Sequence, residues 1–310
     1  MKALSINEAI KRLPQYLYDS LFLQYDHNTV DRIIKGYMAS RYTTLRVNLI
    51  KTDVLFVINR LKENGIKCDR VPWSNEALII KNSDEKQIAK LDIYEEGMIY
   101  LQSLSSMLPP IILNPKKGKI ILDMASAPGG KTTELASLTN NESNITCLEL
   151  DPIRFEKLKY NLNKQGATSA IPLLCDGRKY TSTDQFDYIL LDAPCSGSGT
   201  IDVNNKATYI SFSEKLVNKS ASTQKAMLRN ALKLIKKGQT ILYSTCSILQ
   251  FENEDVINEI LTENKDLEVV PISFNGMNLL PLLPCKIKGA LTICPNELYE
   301  GFFVCKLRKK

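Results

Sequence analysis

The sequence predicts an α/β protein: a doubly wound, Rossmann-like sheet preceded by a small α+β module. Three observations predict it. Lys119-Ile120-Ile121-Leu122 is an apolar run behind Gly118, as a buried parallel strand would be. Asp123-Met124-Ala125-Ser126-Ala127-Pro128-Gly129-Gly130-Lys131 then makes a small-residue turn, and Thr132-Thr133-Glu134-Leu135-Ala136 opens a helix. A strand, a glycine turn and a helix form a crevice of nucleotide size, with unpaired amides at the helix start. Third, later apolar runs end in acids at Glu149, Asp176 and Asp192, on the edge where open α/β sheets bind ligands. The turn is neither G-x-G-x-x-G nor a P-loop, so by itself it equally describes an ordinary βα connection.

The 310 residues suffice for two domains, expected at 1–97 and 98–310. Residues 1 to about 40 read as helices: Ile6, Ile10, Leu13, Leu17 and Leu21 recur at helical spacing, interrupted at Pro14. Val30, Ile33, Ile34 and Tyr37 mark a second helix ending near Gly36. Thr44-Leu45-Arg46-Val47-Asn48 reads as a strand. Thr52-Asp53 caps a helix with an apolar face of Leu55, Ile58 and Leu61, stopped at Gly65. Ile66-Lys67-Cys68 and Ala77-Leu78-Ile79-Ile80 complete a β-α-β-β module. Arg41, Arg46, Lys51, Arg60, Lys62, Lys67 and Arg70, with Tyr42 and Trp73, suit a nucleic-acid surface; interleaved acids equally suit a solvated face.

Glu95-Glu96-Gly97 reads as the domain boundary, and Ser103 to Pro110 leads a helix toward the sheet. Its strands are Ile120 to Met124, Ile145 to Leu148, Ala170 to Leu174, Tyr188 to Leu191 and Thr240 to Tyr243. Asp151-Pro152 opens a helix with the stripe Phe155, Leu158 and Leu162, ended by Gly166. A long helix spans Ser213 to Lys237 before Gly238. Leu267 to Ile272 and Phe302 to Leu307 close the sheet.

Composition excludes several classes. Net charge is +6, which permits an anionic partner without requiring one. Eight scattered cysteines without a C-x-x-C, and a lone histidine, His27, argue against a zinc site and a disulfide framework. A reducing, cytoplasmic setting is expected. A Ser-His-Asp or Cys-His hydrolase would have to recruit His27 from a polar N-terminal segment. Met1-Lys2-Ala3-Leu4-Ser5-Ile6-Asn7-Glu8 has an early acid and no long apolar core, so no signal peptide is expected. No stretch approaches the roughly 20 apolar residues of a membrane helix.

Two cysteines share the ligand edge: Cys195 in Asp192-Ala193-Pro194-Cys195-Ser196-Gly197, and Cys246 in Ser244-Thr245-Cys246-Ser247. Cysteines are usually buried as small hydrophobes. These two stand among turn residues where a substrate would lie, and thiolates are strong nucleophiles. Glu149, about 20 residues past the glycine turn, suits ribose hydroxyls; Asp176 can reach an adenine amino group.

The glycine turn, D-A-P-C-S-G-S-G, and Y-S-T-C-S followed by Glu252-Asn253-Glu254 resemble, in order and spacing, the motifs of the Sun-type RNA cytosine-5 methyltransferases. Thr44 to Asn48 resembles that family's basic RNA-binding segment, and Asn296 with Gly301-Phe302-Phe303 its C-terminal end. The likeness covers roughly residues 40 to 310. It implies a class I methyltransferase sheet with an N-terminal RNA-binding domain, S-adenosylmethionine as cofactor, and RNA (ribosomal or transfer) as partner. Composition leads to the expectation of neither metal nor membrane, and a monomer is expected by default. Ala125, Ser126, Ala127, Pro128, Gly129, Gly130, Lys131, Glu149, Arg154, Asp176 and Asp192 would hold the cofactor. Cys246 would attack carbon 6 of a cytosine, Asp192 would steady ring nitrogen 3, Cys195 would support release, and Lys131 would orient Asp192 or favour a thiolate. Two departures are expected from this reading: Ser126 replaces a commoner alanine, and the extra C-terminal RNA-binding domain of longer members has no counterpart in these residues.

Three rivals remain. DNA cytosine-5 methyltransferases use a Pro-Cys nucleophile, which Pro194-Cys195 matches in part, whereas Thr245-Cys246 favours RNA. A small-molecule methyltransferase has no use for two strand-end cysteines. A non-catalytic RNA-binding assembly factor would not need the intact acids and both thiols.

Overall fold

The computed structural model describes residues 4–310; Met1-Lys2-Ala3, the head of the stretch read for a signal peptide, lies outside them. Among the described residues no helix is long and apolar enough to cross a membrane. Nor, among them, does any group of three or more His, Cys, Asp and Glu side chains stand ready to hold a metal ion.

Three helices open the chain: α1 (Ile6–Ile10), α2 (Gln15–Gln24) and α3 (His27–Met38). Pro14 stands immediately before α2, where its missing N–H costs nothing. Helix α3 ends at Met38, near Gly36 as expected. Gly36 lies within the helix, where a Cβ would come 1.9 Å from the Pro295 carbonyl oxygen. This glycine serves a close approach. Leu17, Leu21, Ile33, Ile34 and Tyr37 form a core with Ile201, Val217, Ile248 and Leu249. The opening helices therefore pack on the large domain, not on the small module beside them in sequence.

The small module is a four-stranded antiparallel sheet: β1 (Thr44–Val47), β2 (Cys68–Val71), β3 (Ser74–Ile80) and β4 (Ile99–Leu101), in the order β2-β3-β1-β4. Helix α4 (Val54–Glu63) is capped by Asp53, which accepts from the Phe56 amide at 2.9 Å. Its buried face is Val57 and Leu61, flanked by Val54 and Ile58. Leu55 points outward, 65% exposed, and Val57 takes its place, while Ile58 and Leu61 face the core as expected. Helices α5 (Glu85–Ile88) and α6 (Asp92–Glu95) lead into β4. Because β4 completes this sheet, the boundary expected at Gly97 falls inside the module, not after it.

The second sheet has nine strands. Helix α7 (Leu104–Leu113) precedes β5 (Ile120–Asp123), α8 (Gly130–Leu138), β6 (Asn144–Glu149), α9 (Pro152–Gln165), β7 (Ala170–Leu174) and β8 (Phe186–Asp192). Then come α10 (Glu214–Leu234), β9 (Ile235–Thr245), α11 (Glu254–Glu263), β10 (Leu267–Val269), β11 (Leu282–Leu283), β12 (Leu291–Ile293) and β13 (Phe302–Lys309). The order is β11-β12-β13-β9-β8-β5-β6-β7, with β10 also on β13. Strands β5 to β9 are parallel. Strand β13 runs antiparallel to β9. The long helix ends at Leu234, earlier than Lys237, and Gly238 (φ 75°) sits in an irregular stretch of β9. The pairs made by β4, β11 and β12 are too short to carry a period.

The sheet switches direction at β5, with β6 on one side and β8 on the other, which is where doubly wound folds open a crevice. Asp123 fixes this joint. It is buried, and its Oδ2 accepts from Thr132 Oγ1 at 2.7 Å, tying the strand end to α8. Burial pushes the Asp123 carboxyl up to about 6, with the Thr132 hydroxyl pulling it part of the way back.

Two outcomes are expected. Gly36→Ala should cost about 1–3 kcal/mol of stability by urea unfolding, since helix α3 or the Pro295 loop must shift. An unchanged midpoint would contradict that packing. For Asp123 the native state holds its proton more tightly than the unfolded chain, whose value is about 3.9. Its stabilising contribution is therefore complete below pH ~4 and lost as pH rises through about 6. Asp123→Asn keeps an acceptor for Thr132, and its unfolding free energy should fall less between pH 4 and 6.5 than that of the unaltered chain.

Candidate active site

The glycine turn joins β5 to α8. Its backbone is held by bonds to the neighbouring strand and to itself. Ser126 donates from its amide to Leu148 O at 2.8 Å and from its hydroxyl to Asp123 O at 2.9 Å. Gly129 donates to Ser126 O at 2.8 Å. Gly129 precedes the helix at φ 110°, a conformation that disfavours any side chain. At Gly130 a Cβ would press on Tyr100 Cε1 at 3.1 Å.

The first helical side chain after the glycines is Lys131. Its Nζ lies 2.7 Å from Asp192 Oδ2 at the end of β8, and donates to Ser106 Oγ at 2.8 Å. Burial pulls the Lys131 ammonium down, but Asp192 beside it outweighs this and its pKa is raised. The lysine therefore stays charged. Asp192 also accepts from Ser244 Oγ at 2.7 Å, which ties β8 to β9.

The two cysteines meet on this edge. Cys195 follows β8, Cys246 follows β9, and their sulfurs are 3.0 Å apart. The hydrogen bond with Cys246, and burial, hold the Cys195 thiol well above the ordinary cysteine range. Cys195 is thus held as a thiol beside Cys246, and either sulfur can be the donor between them. Glu252 binds both loops: its carboxylate accepts from the Ser196 amide at 2.7 Å, Ser196 Oγ at 2.5 Å and Ser247 Oγ at 2.7 Å. Behind it, Thr245 Oγ1 donates to Asn253 Oδ1 at 2.6 Å and Asn253 Nδ2 donates to Ser247 O at 2.9 Å. Gly199 and Gly301 cross so closely that a Cβ on Gly199 would lie 2.0 Å from the Gly301 oxygen. That contact presses the Cys195 loop onto the start of β13.

A cavity of about 390 Å³ opens between the two sheets. Its wall includes Ala125 to Pro128, Gly130, Lys131 and Asp192 on one side, and Tyr42, Tyr100 and Gln102 on the other. Its size lies within the range of about 300–1,000 Å³ for small-molecule sites. The other expected cofactor residues stand apart from this wall. Glu149 ends β6 almost buried; Oε1 accepts the Leu150 and Asp151 amides, each at 2.8 Å. Its Oε2 faces Arg154 at 3.7 Å, and Arg154 also donates to Ala127 O at 2.6 Å, bracing the turn. Asp176, beyond β7, is engaged by Arg178 at 2.7 Å, which the sequence did not suggest. That pair draws the Asp176 carboxyl below the usual range. The donor set fits a nucleoside cofactor: small residues in the turn, one spare Glu149 oxygen and exposed Leu150 beside it.

Sequence reading missed Ser106, Ser244 and Glu252 as partners of the reactive groups. Only the acid in the Glu252-Asn253-Glu254 run hinted at the last. It also misplaced Arg46 and Trp73. Arg46 is 1% exposed, and the buried Trp73 indole donates to Tyr299 Oη at 2.7 Å. Neither belongs to an exposed basic and aromatic surface.

Residues 110–308 match the family model described as 16S rRNA methyltransferase RsmB/F, and residues 13–85 match the ferredoxin-like domain of the same family. A probable ribosomal RNA small subunit methyltransferase B of Bacillus subtilis is 30% identical, over 99% of this chain and 70% of its own length. The ribosomal RNA small subunit methyltransferase F of Shewanella frigidimarina is 32% identical, over 98% of this chain and 61% of its own. The chain thus spans about three fifths of the F-type relatives. Among solved structures, a methyltransferase homolog protein from Pyrococcus horikoshii superposes with a TM-score of 0.79 at 31% identity, covering 96% of this chain and all of that one. NSun6 from the same organism shares the fold, with a TM-score of 0.85 at 22% identity over 97% of this chain and 99% of that one. The sheet order, the glycine turn and these matches lead to one conclusion: the chain belongs to the RsmB/F family of S-adenosylmethionine-dependent RNA methyltransferases.

Proposed function

We propose that this protein methylates carbon 5 of a cytosine in RNA through a covalent adduct with Cys246. The observation that carries the reading is the 3.0 Å approach of Cys195 to Cys246 beside the Lys131–Asp192 pair. Two thiols at adjacent strand ends have a use in this chemistry and in few others. The relatives' names support small-subunit ribosomal RNA as the substrate over transfer RNA.

S-adenosylmethionine, when bound, supplies an electrophilic methyl group. Ala125 to Lys131, Glu149, Arg154, Asp176 and Asp192 would hold it, with Arg178 giving way at Asp176. The protein's own residues must make carbon 5 nucleophilic. The Cys246 thiolate adds to carbon 6, the double bond opens, and electron density moves into the ring. Asp192 meets the charge at ring nitrogen 3, sharing a proton with the Lys131 ammonium. After methylation, carbon 5 carries both a methyl group and a hydrogen. A base, water admitted to the crevice, takes that proton; its electron pair re-forms the double bond between carbons 5 and 6 and the Cys246 sulfur is expelled. Cys195, held as a thiol, donates to the departing sulfur. The target base must leave its stack to enter the crevice, so single-stranded or flipped cytosines are favoured. The small module forms the opposite wall and would guide the RNA.

The test uses the trapped intermediate. Cys195→Ala should slow turnover by roughly 10²-fold or more and accumulate protein covalently joined to RNA, visible as a band resistant to denaturation. Cys195→Ala combined with Cys246→Ala should form no adduct. Sequencing the trapped RNA identifies the substrate. Absence of an adduct, with S-adenosylmethionine still bound, would sink the two-cysteine mechanism.

A further inference from the structure

The cofactor turn is held from outside its own domain. Arg46, on central strand β1 of the small sheet, has the largest fully buried side chain in the structure. Its Nη2 donates to Thr133 Oγ1 at 3.0 Å and approaches Gly130 O at 3.4 Å. Thr133 Oγ1 donates in turn to Gly130 O at 3.0 Å. The Arg46 Nε donates to Gln102 Oε1 at 3.2 Å and stands 3.8 Å from Glu134 Oε2, which also accepts from Gln102 Nε2 at 2.9 Å. Tyr100, on β4, lies under Gly130.

On one side of this network are β1, β4 and the residue after β4. On the other is the first turn of α8, which carries Gly130 and Lys131. A buried arginine bonded on several sides is costly to shift, because any partner it leaves goes unsatisfied. An ordinary βα turn needs no such brace from a second sheet.

We infer that Arg46 is a positioning residue: it fixes the first turn of α8 from the small module, and through it the glycine turn and the Lys131–Asp192 pair. Arg46 then acts on cofactor affinity, not on RNA contact. This rests on the cofactor reading above, and it gives the small module a part in building the cofactor site. A lysine cannot reproduce the planar fork that reaches Gln102 and Thr133 together.

The test pairs ligand binding with a ligand-free readout. In Arg46→Met, the dissociation constant for S-adenosylmethionine by calorimetry should rise about tenfold, while affinity for the trapped RNA stays within twofold. In steady state KM for the cofactor should rise and kcat return at saturation. Hydrogen exchange at the amides of residues 130–133, measured without ligand, should accelerate. Arg46→Lys should fall between. If Arg46→Met does not fold, Thr133→Val removes only the hydroxyl on the α8 side and should show the same direction in both readouts. Unchanged exchange with unchanged cofactor affinity overturns the inference. So does a loss of RNA affinity with cofactor affinity intact, which would place Arg46 on the RNA. If the unaltered protein binds no S-adenosylmethionine, the functional reading fails, and exchange of the turn still decides the positioning role.

Discussion

The buried carboxylate of Glu252 is the constraint on which the reactive edge depends. The side chain has no exposed surface. Burial pushes its pKa up, and the donors from Ser196 and Ser247 draw it back. A carboxylate in such a place is tolerable only while those donors are present. One donor group belongs to the Cys195 loop and the other to the Cys246 loop. The loops must therefore converge to satisfy it, and the two sulfurs are brought together as a result. Tyr243 Oη donates to Glu252 O at 2.7 Å, which anchors the clamp to β9.

Around this clamp the sheet does ordinary work. Parallel strands end at one edge, so Asp123, Glu149 and Asp192 arrive there from separate parts of the chain. The antiparallel strand β13 adds Phe302, whose ring lies 5.7 Å from the Lys131 ammonium and helps shield it from water. The small sheet supplies the facing wall. One face of the small sheet, with Val71, Trp73, Ala77 and Ile79, joins the core of the large domain, the other face carries the module's own core, and the crevice opens along the seam.

What the sequence made legible was local. Asp53 and Asp151 cap the helices expected of them because a cap needs only the next three residues. The glycine turn and its strand were legible because the period changes within a few positions. Gly36, Gly199 and Gly301 were not, since what forbids a side chain there lies far away in sequence: Pro295 for the first, and Ile248 and the other glycine for the crossing pair. Arg46 misled for the same reason. An arginine in a strand suggests a surface, and its burial partners on α8 come almost 90 residues later. The cysteine pair became meaningful only through its motif context, because composition alone treats a cysteine as a small hydrophobe.

The core under α1 to α3 has a consequence for how the chain comes to be folded. Synthesis reaches these helices before the segments that cover them: their apolar faces rest on Ile201, Val217, Leu249, Leu283 and Cys294. Tyr37 Oη waits for Ser198 O, and Gly36 for Pro295. Until those segments have followed, α1 to α3 lack most of the surface they bury themselves against and must stay soluble or sheltered. The small sheet, with its own core, is free to form earlier. A nascent chain would thus carry a folded central module between an unfinished catalytic half and an unseated N-terminal lead. The contacts between α1 to α3 and these later segments are then among the last to form.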